Sequence, residues 1–262
     1  MKIDARLVEN LIERFLPFGN EQVYDAMRYS LFSGGKRLRP ILLLQLAESM
    51  GVYGEDCQRL AVALEMVHTY SLIHDDLPCM DNDDFRRGKP SCHKQFSETH
   101  AVLAGDCLLN CAIEVALGGS LKPSYLRAVK HLFACSGYKG MILGQSLDLF
   151  SNPTTAEDLV EIASGKTSAL FSASIVCPAL CCDLPANQID LLKNIANWLG
   201  IAFQIADDLL DCEEKSFVAV MGKSQCQTLA KNLIAKAKDS IEKLEFDAKI
   251  LVEFANLIEK SL

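Results

Sequence analysis

The sequence predicts an all-α protein built as one domain of about ten helices. Apolar residues recur with helical spacing over long stretches, and hardly any segment alternates with period two. Gly (15) and Pro (8) are too sparse among 262 residues for a turn-rich β-sandwich or barrel. Half the residues are hydrophobic and 23% are charged, which excludes disorder, and no low-complexity linker divides residues 1–262. Helices are expected near 4–16, 21–32, 39–50, 56–77, 99–117, 124–135, 137–149, 156–180, 187–212, 226–245 and 247–260. Breaks fall at Ser33-Gly34-Gly35, Met50-Gly51, Gly118-Gly119, Ser151-Asn152-Pro153 and Asp183-Leu184-Pro185. Thr155, three residues before Asp158, forms a capping pattern that opens the helix near 156. The stretch Ile195 to Ala206 carries no charge, as expected of a helix enclosed by other helices.

The net charge of −8 argues against a nucleic-acid binder. Eleven cysteines are an odd number at irregular spacing, mostly inside apolar runs, with no CxxC pair. They read as free thiols in a reducing compartment rather than as disulfides or a zinc site. Charges recur through MKIDARLVENLIERF, so this start is not read as a signal peptide. Thr167 to Cys182, an uncharged run, contains Pro178 and falls short of the roughly 20 residues of a bilayer span. A soluble, cytoplasmic protein without stable membrane insertion is expected.

Two acid clusters stand out. Asp207 and Asp211 lie four apart, about 40° from each other on a helix, with Gln204 one turn earlier on the same side. Ionised carboxylates clustered at the end of an apolar helix repel one another unless a cation offsets them. No Lys or Arg lies between Lys193 and Lys215. Carboxylate oxygens suit Mg²⁺. The pentapeptide Ile-x-Asp-Asp-Leu that includes Asp207 and Asp208 recurs at Ile73–Leu77, with Asp75, Asp76 and a third acid at Asp81. On an ideal helix Asp81 would sit roughly 120° from Asp75, but Pro78 strains the preceding turn, and unwinding there would swing Asp81 back. Two such clusters with Mg²⁺ suit a polyphosphate. Rival sites fail on detail: the run from Asp81 has Arg86 where an EF-hand needs Gly, and none of the three Gly-Lys pairs has the earlier Gly of a P-loop.

Two basic patches sit on this acidic chain. Gly34-Gly35-Lys36-Arg37-Leu38-Arg39-Pro40 pairs glycines with Lys36 and Arg39, and Arg86-Arg87-Gly88-Lys89 follows the first acid cluster directly. Both suit phosphate oxygens. His68, Ser71 and Asp75 share one helical stripe, which turns His68 toward the anion site. His74 and His93 flank the region without a role, and no Ser–His–Asp arrangement is recognisable.

The segments GGKRLRP, EMVHTYSLIHDDLPCMDNDDFRRGKPSCHKQF, AVLAGDCLL, GQSLDL, GKTSALF and GIAFQIADDLLD occur in this order. Together they resemble the short-chain trans-isoprenyl diphosphate synthases of the bacterial farnesyl/geranylgeranyl type. The resemblance implies the isoprenoid synthase fold, mostly antiparallel helices around a deep central cavity, and a homodimer. It implies that three Mg²⁺ ions held by Asp75, Asp76, Asp81, Asp207, Asp208 and Asp211 assist ionisation of an allylic diphosphate (dimethylallyl or geranyl). It places Arg86, Lys166, Thr167 and Gln204 at the allylic diphosphate or its developing charge, and Lys36, Arg39, His68 and Arg87 around isopentenyl diphosphate. It further implies that the departing pyrophosphate takes the proton. Tyr70 lies five residues, about 7.5 Å of helix rise, before Asp75. As a bulky cavity floor it implies a C15 product, farnesyl diphosphate, with geranyl and geranylgeranyl diphosphate as the alternatives.

After Asp211 the resemblance thins. The family carries a longer segment with a lysine that closes over the allylic diphosphate, whereas this chain offers Lys215 and a single Gly222-Lys223-Ser224. A terpene cyclase would lack the second acid cluster and GGKRLRP, and a non-catalytic subunit of a heteromeric synthase would lack one cluster; both are present here.

Overall fold

The Asp4 side chain accepts the Leu7 N–H at 3.1 Å and opens α1 (Ala5–Phe15), the first of the helices in this computed structural model, which describes residues 3–210 and 215–262. The chain divides into two compact units, one of residues 3–44 with 53–122 and one of 45–52 with 123–262.

In the first unit α1 is followed by α2 (Gln22–Leu31) and by the start of α3 (Leu38–Ser49), whose second half belongs to the other unit. Then come α4 (Glu55–Asp75), the two-residue strands β1 (Phe85–Arg86) and β2 (Lys89–Pro90), α5 (Cys92–Gln95) and α6 (Glu98–Leu117). α4 and α6 lie along each other as the spine. α4 buries Leu60, Leu64 and Met66 completely, and α6 buries Ala101, Ala104, Gly105, Leu108 and Ala112. Small residues on α6 allow the two backbones a close approach. By length and composition α6 would also suffice to cross a membrane; a packed core helix meets the same description.

The second unit runs α7 (Pro123–Ser136), α8 (Met141–Phe150), α9 (Ala156–Ala163), a single π-helical turn Ser164–Ser168, α10 (Ala169–Cys181), α11 (Ala186–Asp208), α12 (Phe217–Met221), α13 (Lys223–Ile241) and α14 (Lys249–Glu259). α11 packs against α9, the π turn, α10, α12, α13 and α14, which accounts for its uncharged stretch. The rings of Phe171, Phe203 and Phe254 form its aromatic centre, with centroids 5.1–6.4 Å apart.

Most expected helices are present within a few residues of their expected bounds. The run expected at 156–180 is three pieces, because the π turn interrupts it between α9 and α10. Thr155 does cap α9: its hydroxyl accepts the Asp158 N–H while the Asp158 carboxylate accepts the Thr155 N–H. α4 ends at Asp75 rather than 77, since the residue before Pro78 disfavours the helical conformation. The hairpin, α5 and α12 are short elements that periodicity does not reveal. Ten cysteines among the described residues are free thiols.

Candidate active site

In the first unit the acid motif begins at the end of α4. Beyond Asp75 the chain folds back on itself, and the Asp81 N–H donates to the Asp75 carbonyl at 2.9 Å. Asn82 follows with φ 54° and donates to Leu77, which closes the loop. Unwinding at Pro78 therefore returns Asp81 to the Asp75 end of the helix. Asp76 points the other way. It is buried, and Arg86 grips one of its oxygens through Nε, at 2.9 Å, and Nη2. Burial raises the Asp76 pKa, against the pull of Arg86, and Arg86 also reaches Asp83 at 3.0 Å.

The hairpin separates its two arginines. Phe85 pairs with Pro90 and Arg86 with Lys89, while Arg87 and Gly88 turn the corner with φ of 54° and 75°, the positive pair of a type I′ turn. Arg86 faces Asp76. Arg87 instead donates to the Gly34 carbonyl, and its guanidinium lies where a side chain at Gly35 would be, 2.6 Å from an ideal Cβ. Gly34 and Gly35 have φ of 93° and 118°, so both positions require glycine on backbone grounds as well.

Lys36, Arg37, Leu38, Arg39, Glu65, His68 and Arg87 line a cavity of about 150 Å³. Lys36 precedes α3 rather than lying on it. Arg37 is structural: its fully buried guanidinium donates to Glu65 at 2.6 Å and to the Leu31 carbonyl. That pair neutralises Glu65 and leaves the cavity cationic. Burial, reinforced by Arg39, Arg87, Arg37 and Arg86, holds the His68 pKa well below 6.5, so the imidazole is neutral near pH 7. Tyr70 is buried on α4 with no partner for its hydroxyl among the described residues, and burial together with nearby Asp75 pushes its pKa up to about 12.

In the second unit glycines set the geometry. An ideal Cβ on Gly144 of α8 would lie 1.9 Å from the Lys166 nitrogen, and one on Gly165 would lie 2.8 Å from the Gly144 Cα. On the opposite side, a Cβ on Gly200 of α11 would lie 2.4 Å from Ser168 Oγ. The π turn is therefore clamped between two helices at positions where only glycine fits, and it presents Lys166 and Thr167. π turns of this kind concentrate at functional sites.

Lys166 Nζ pairs with Asp148 at 2.5 Å. The Thr167 hydroxyl donates to Gln204 Oε1 at 2.6 Å, Gln204 Nε2 donates to Asp208 at 2.8 Å, and the other Asp208 oxygen accepts the Phe217 N–H at 2.8 Å. Lys215 donates to the carbonyls of Asp148 and Ser151 at 3.2 and 3.1 Å, at the end of α8. These groups line a cavity of about 50 Å³, which Lys223 does not border. Asp207 is exposed at the end of α11, and Asp211 lies outside the described residues.

In both Asp-Asp pairs the second carboxylate is held by the protein, Asp76 by Arg86 and Asp208 by Gln204 and a backbone amide. The sequence assigns all six aspartates to the metal, and these hydrogen bonds set Asp76 and Asp208 apart within that group. Among the described residues no three His, Cys, Asp or Glu groups form a metal site by themselves. Mg²⁺ needs no such cage, because one or two carboxylates plus substrate phosphates suffice. Asp81 and Asp207 are exposed and Asp75 is half-buried, and carboxylates so placed can serve Mg²⁺ in that way. Lys215 is one of the two closing lysines the sequence offers, whereas nothing in the sequence assigns Asp148 to the site; it lies four residues after Gly144, on the same helix face.

A polyprenyl synthetase family profile matches residues 20–236. The chain is 36% identical over 257 residues to a farnesyl diphosphate synthase of Micrococcus luteus, covering 90% of this chain and 88% of that protein. It is 38% identical over 268 residues to the large subunit 1 of a heterodimeric geranylgeranyl pyrophosphate synthase of Arabidopsis thaliana, covering 94% and 71%. The crystal structure of an FPP/GFPP synthase from Zymomonas mobilis superposes with a TM-score of 0.90 at 35% identity, covering 97% of this chain and 95% of that one.

Proposed function

This chain belongs to the polyprenyl synthetase family and is a prenyltransferase that elongates prenyl diphosphates, and from that premise we propose how its residues divide the work and which product they release. The family match runs through both units, which supports reading them as one catalytic domain. The observation that carries the reading is the division of cationic groups: Lys36, Arg39, His68 and Arg87 around one cavity, Arg86 on the acid motif, and Lys166 beside Asp148 on the π turn.

Isopentenyl diphosphate binds without metal in the cationic cavity, where the Arg37–Glu65 pair leaves Lys36, Arg39 and Arg87 to meet its phosphates. Neutral His68 serves there as a hydrogen-bonding group. Asp75, Asp81 and Asp207 hold Mg²⁺, with three ions expected, and Asp211 joins them. When bound, the metal neutralises the allylic diphosphate and makes it a better leaving group. Arg86 and Lys166 bind the same diphosphate, with Lys215 as the closing lysine in preference to Lys223. Asp76 fixes the Arg86 fork, and Asp208 fixes Gln204, which in turn orients Thr167.

The C1–O bond of the allylic substrate breaks and its electron pair leaves with pyrophosphate. The isopentenyl double bond attacks the resulting cation, and pyrophosphate takes the released proton. Because the Thr167 hydroxyl gives its proton to Gln204 Oε1, its own oxygen is left to accept and to stabilise the developing charge. Water, which would capture the cation, has to be kept from the reacting centre. Tyr70 stops elongation at farnesyl diphosphate. Val102, Leu103, Ile113 and Leu117 share one exposed face of α6, which we assign to a second copy in a homodimer. Free thiols throughout the described chain support a cytoplasmic site.

Incubation with Mg²⁺, isopentenyl diphosphate and geranyl diphosphate tests the reading: farnesyl diphosphate is the expected end product. Accumulation of C20 would refute the Tyr70 floor, and no condensation would refute the residue assignment as a whole.

A further inference from the structure

We propose that His74 is a positioning residue that locks the Asp75 end of α4 onto α6, and that Gly105 is glycine in order to admit it. The proposal rests on the metal reading above, because what the lock positions is Asp75. His74 lies within hydrogen-bond distance of the Val102 carbonyl, Nε2 to oxygen 3.2 Å. A carbonyl only accepts, so the proton is on Nε2. An ideal Cβ on Gly105 would meet the same ring at 2.1 Å from Nε2, 2.5 Å from Cδ2 and 2.8 Å from Cε1. The imidazole thus occupies the volume of an absent side chain on α6. Its other side meets the Tyr70 ring edge-on, centroids 5.9 Å apart at 73°.

This wedge stands one residue before the end of α4, where a helix has no further turn to hold it. The next residue is Asp75, whose carbonyl accepts the Asp81 N–H. One side chain therefore holds the helix end that carries the first carboxylate and anchors the loop that carries the third.

The test is Mn²⁺ binding in the presence of inorganic pyrophosphate, followed by electron paramagnetic resonance, alongside thermal unfolding. His74→Ala and Gly105→Ala should each weaken Mn²⁺ binding about tenfold, the scale of one lost hydrogen bond. The double variant should be no weaker than either single, because the clash at 105 needs the ring at 74. His74→Gln, whose amide N–H reaches the place of Nε2, should bind within about twofold of the parent, whereas the shorter His74→Asn should behave like Ala. A purely structural role would lower the unfolding midpoint and leave Mn²⁺ binding by the folded protein unchanged. Unchanged binding in both singles, additive losses in the double, or equal behaviour of Gln and Asn would overturn the lock. If His74→Ala does not fold, Gly105→Ala and the Gln/Asn contrast decide. Absence of Mn²⁺ binding in the parent would refute the metal reading itself, and the lock with it.

Discussion

Gly144→Ala is the sharpest perturbation of the lysine-bearing π turn. The added Cβ would lie 1.9 Å from the Lys166 nitrogen, 2.4 Å from the Gly165 carbonyl carbon and 2.6 Å from the Lys166 Cα. All three are backbone atoms, which cannot rotate away. Real Cβ atoms essentially never come within 3.0 Å of a neighbour, so α8 and the π turn would have to part by about 1 Å. Overpacking of this kind costs about 1–3 kcal/mol. The same displacement moves Lys166 from Asp148 and Thr167 from Gln204, and a misplacement of about 1 Å lowers turnover on the order of 10²-fold. Gly165→Ala meets only 2.8–3.2 Å contacts and should be milder in both respects. Urea unfolding gives the stability and steady-state condensation of geranyl with isopentenyl diphosphate gives the turnover. Gly144→Ala with stability within about 0.5 kcal/mol and turnover within about twofold of the parent would refute the clamp.

Arg37→Ala leaves Glu65 as an unpaired buried carboxylate and should destabilise the fold by about 3 kcal/mol or more in urea unfolding. Exposed Lys36→Ala should leave stability within about 0.5 kcal/mol and raise the KM for isopentenyl diphosphate alone. His68 has a folded pKa well below its unfolded 6.5, so its contribution to stability is complete above pH 6.5 and is lost as pH falls toward the folded value. From about pH 7.5 to 5.5 the parent should therefore lose more unfolding free energy than His68→Gln, as read by urea unfolding at both pH values. Tyr70→Ala should shift products from C15 toward C20 by chromatography, and an unchanged profile would remove Tyr70 as the floor.

Helices were legible because long apolar periodicity and Gly or Pro breaks act locally. The π turn was not, since Gly144 and Gly165 are close in space and distant in sequence, and neither glycine reveals its partner. The hairpin escaped for a different reason: Arg87 takes φ 54° without the Asn-Gly pattern that marks such turns, held there by Gly34. The acid motifs announced themselves through composition, and Pro78 announced the unwinding that returns Asp81 to Asp75. What the motifs concealed was the inequality of paired aspartates. Asp75 and Asp76 are adjacent in sequence, but α4 ends between them, and Asp76 is buried against Arg86 while Asp75 is only half-buried. Arg37, in the middle of a basic run, has no role in the sequence pattern, because its partner Glu65 lies 28 residues away and only the fold brings the pair together.

On the proposed reading, Asp75 and Asp81 of one motif and Asp207 of the other hold the Mg²⁺ that assists ionisation of the allylic diphosphate. The most direct measurement is the rate of pyrophosphate release from geranyl diphosphate and isopentenyl diphosphate across a Mg²⁺ titration, for the parent, Asp75→Ala and Asp207→Ala. Both variants should fall at least about 10²-fold, the scale of losing one electrostatic stabiliser, while isopentenyl diphosphate still binds as it does to the parent. Parental rates in either variant at the same Mg²⁺ concentration would contradict the account.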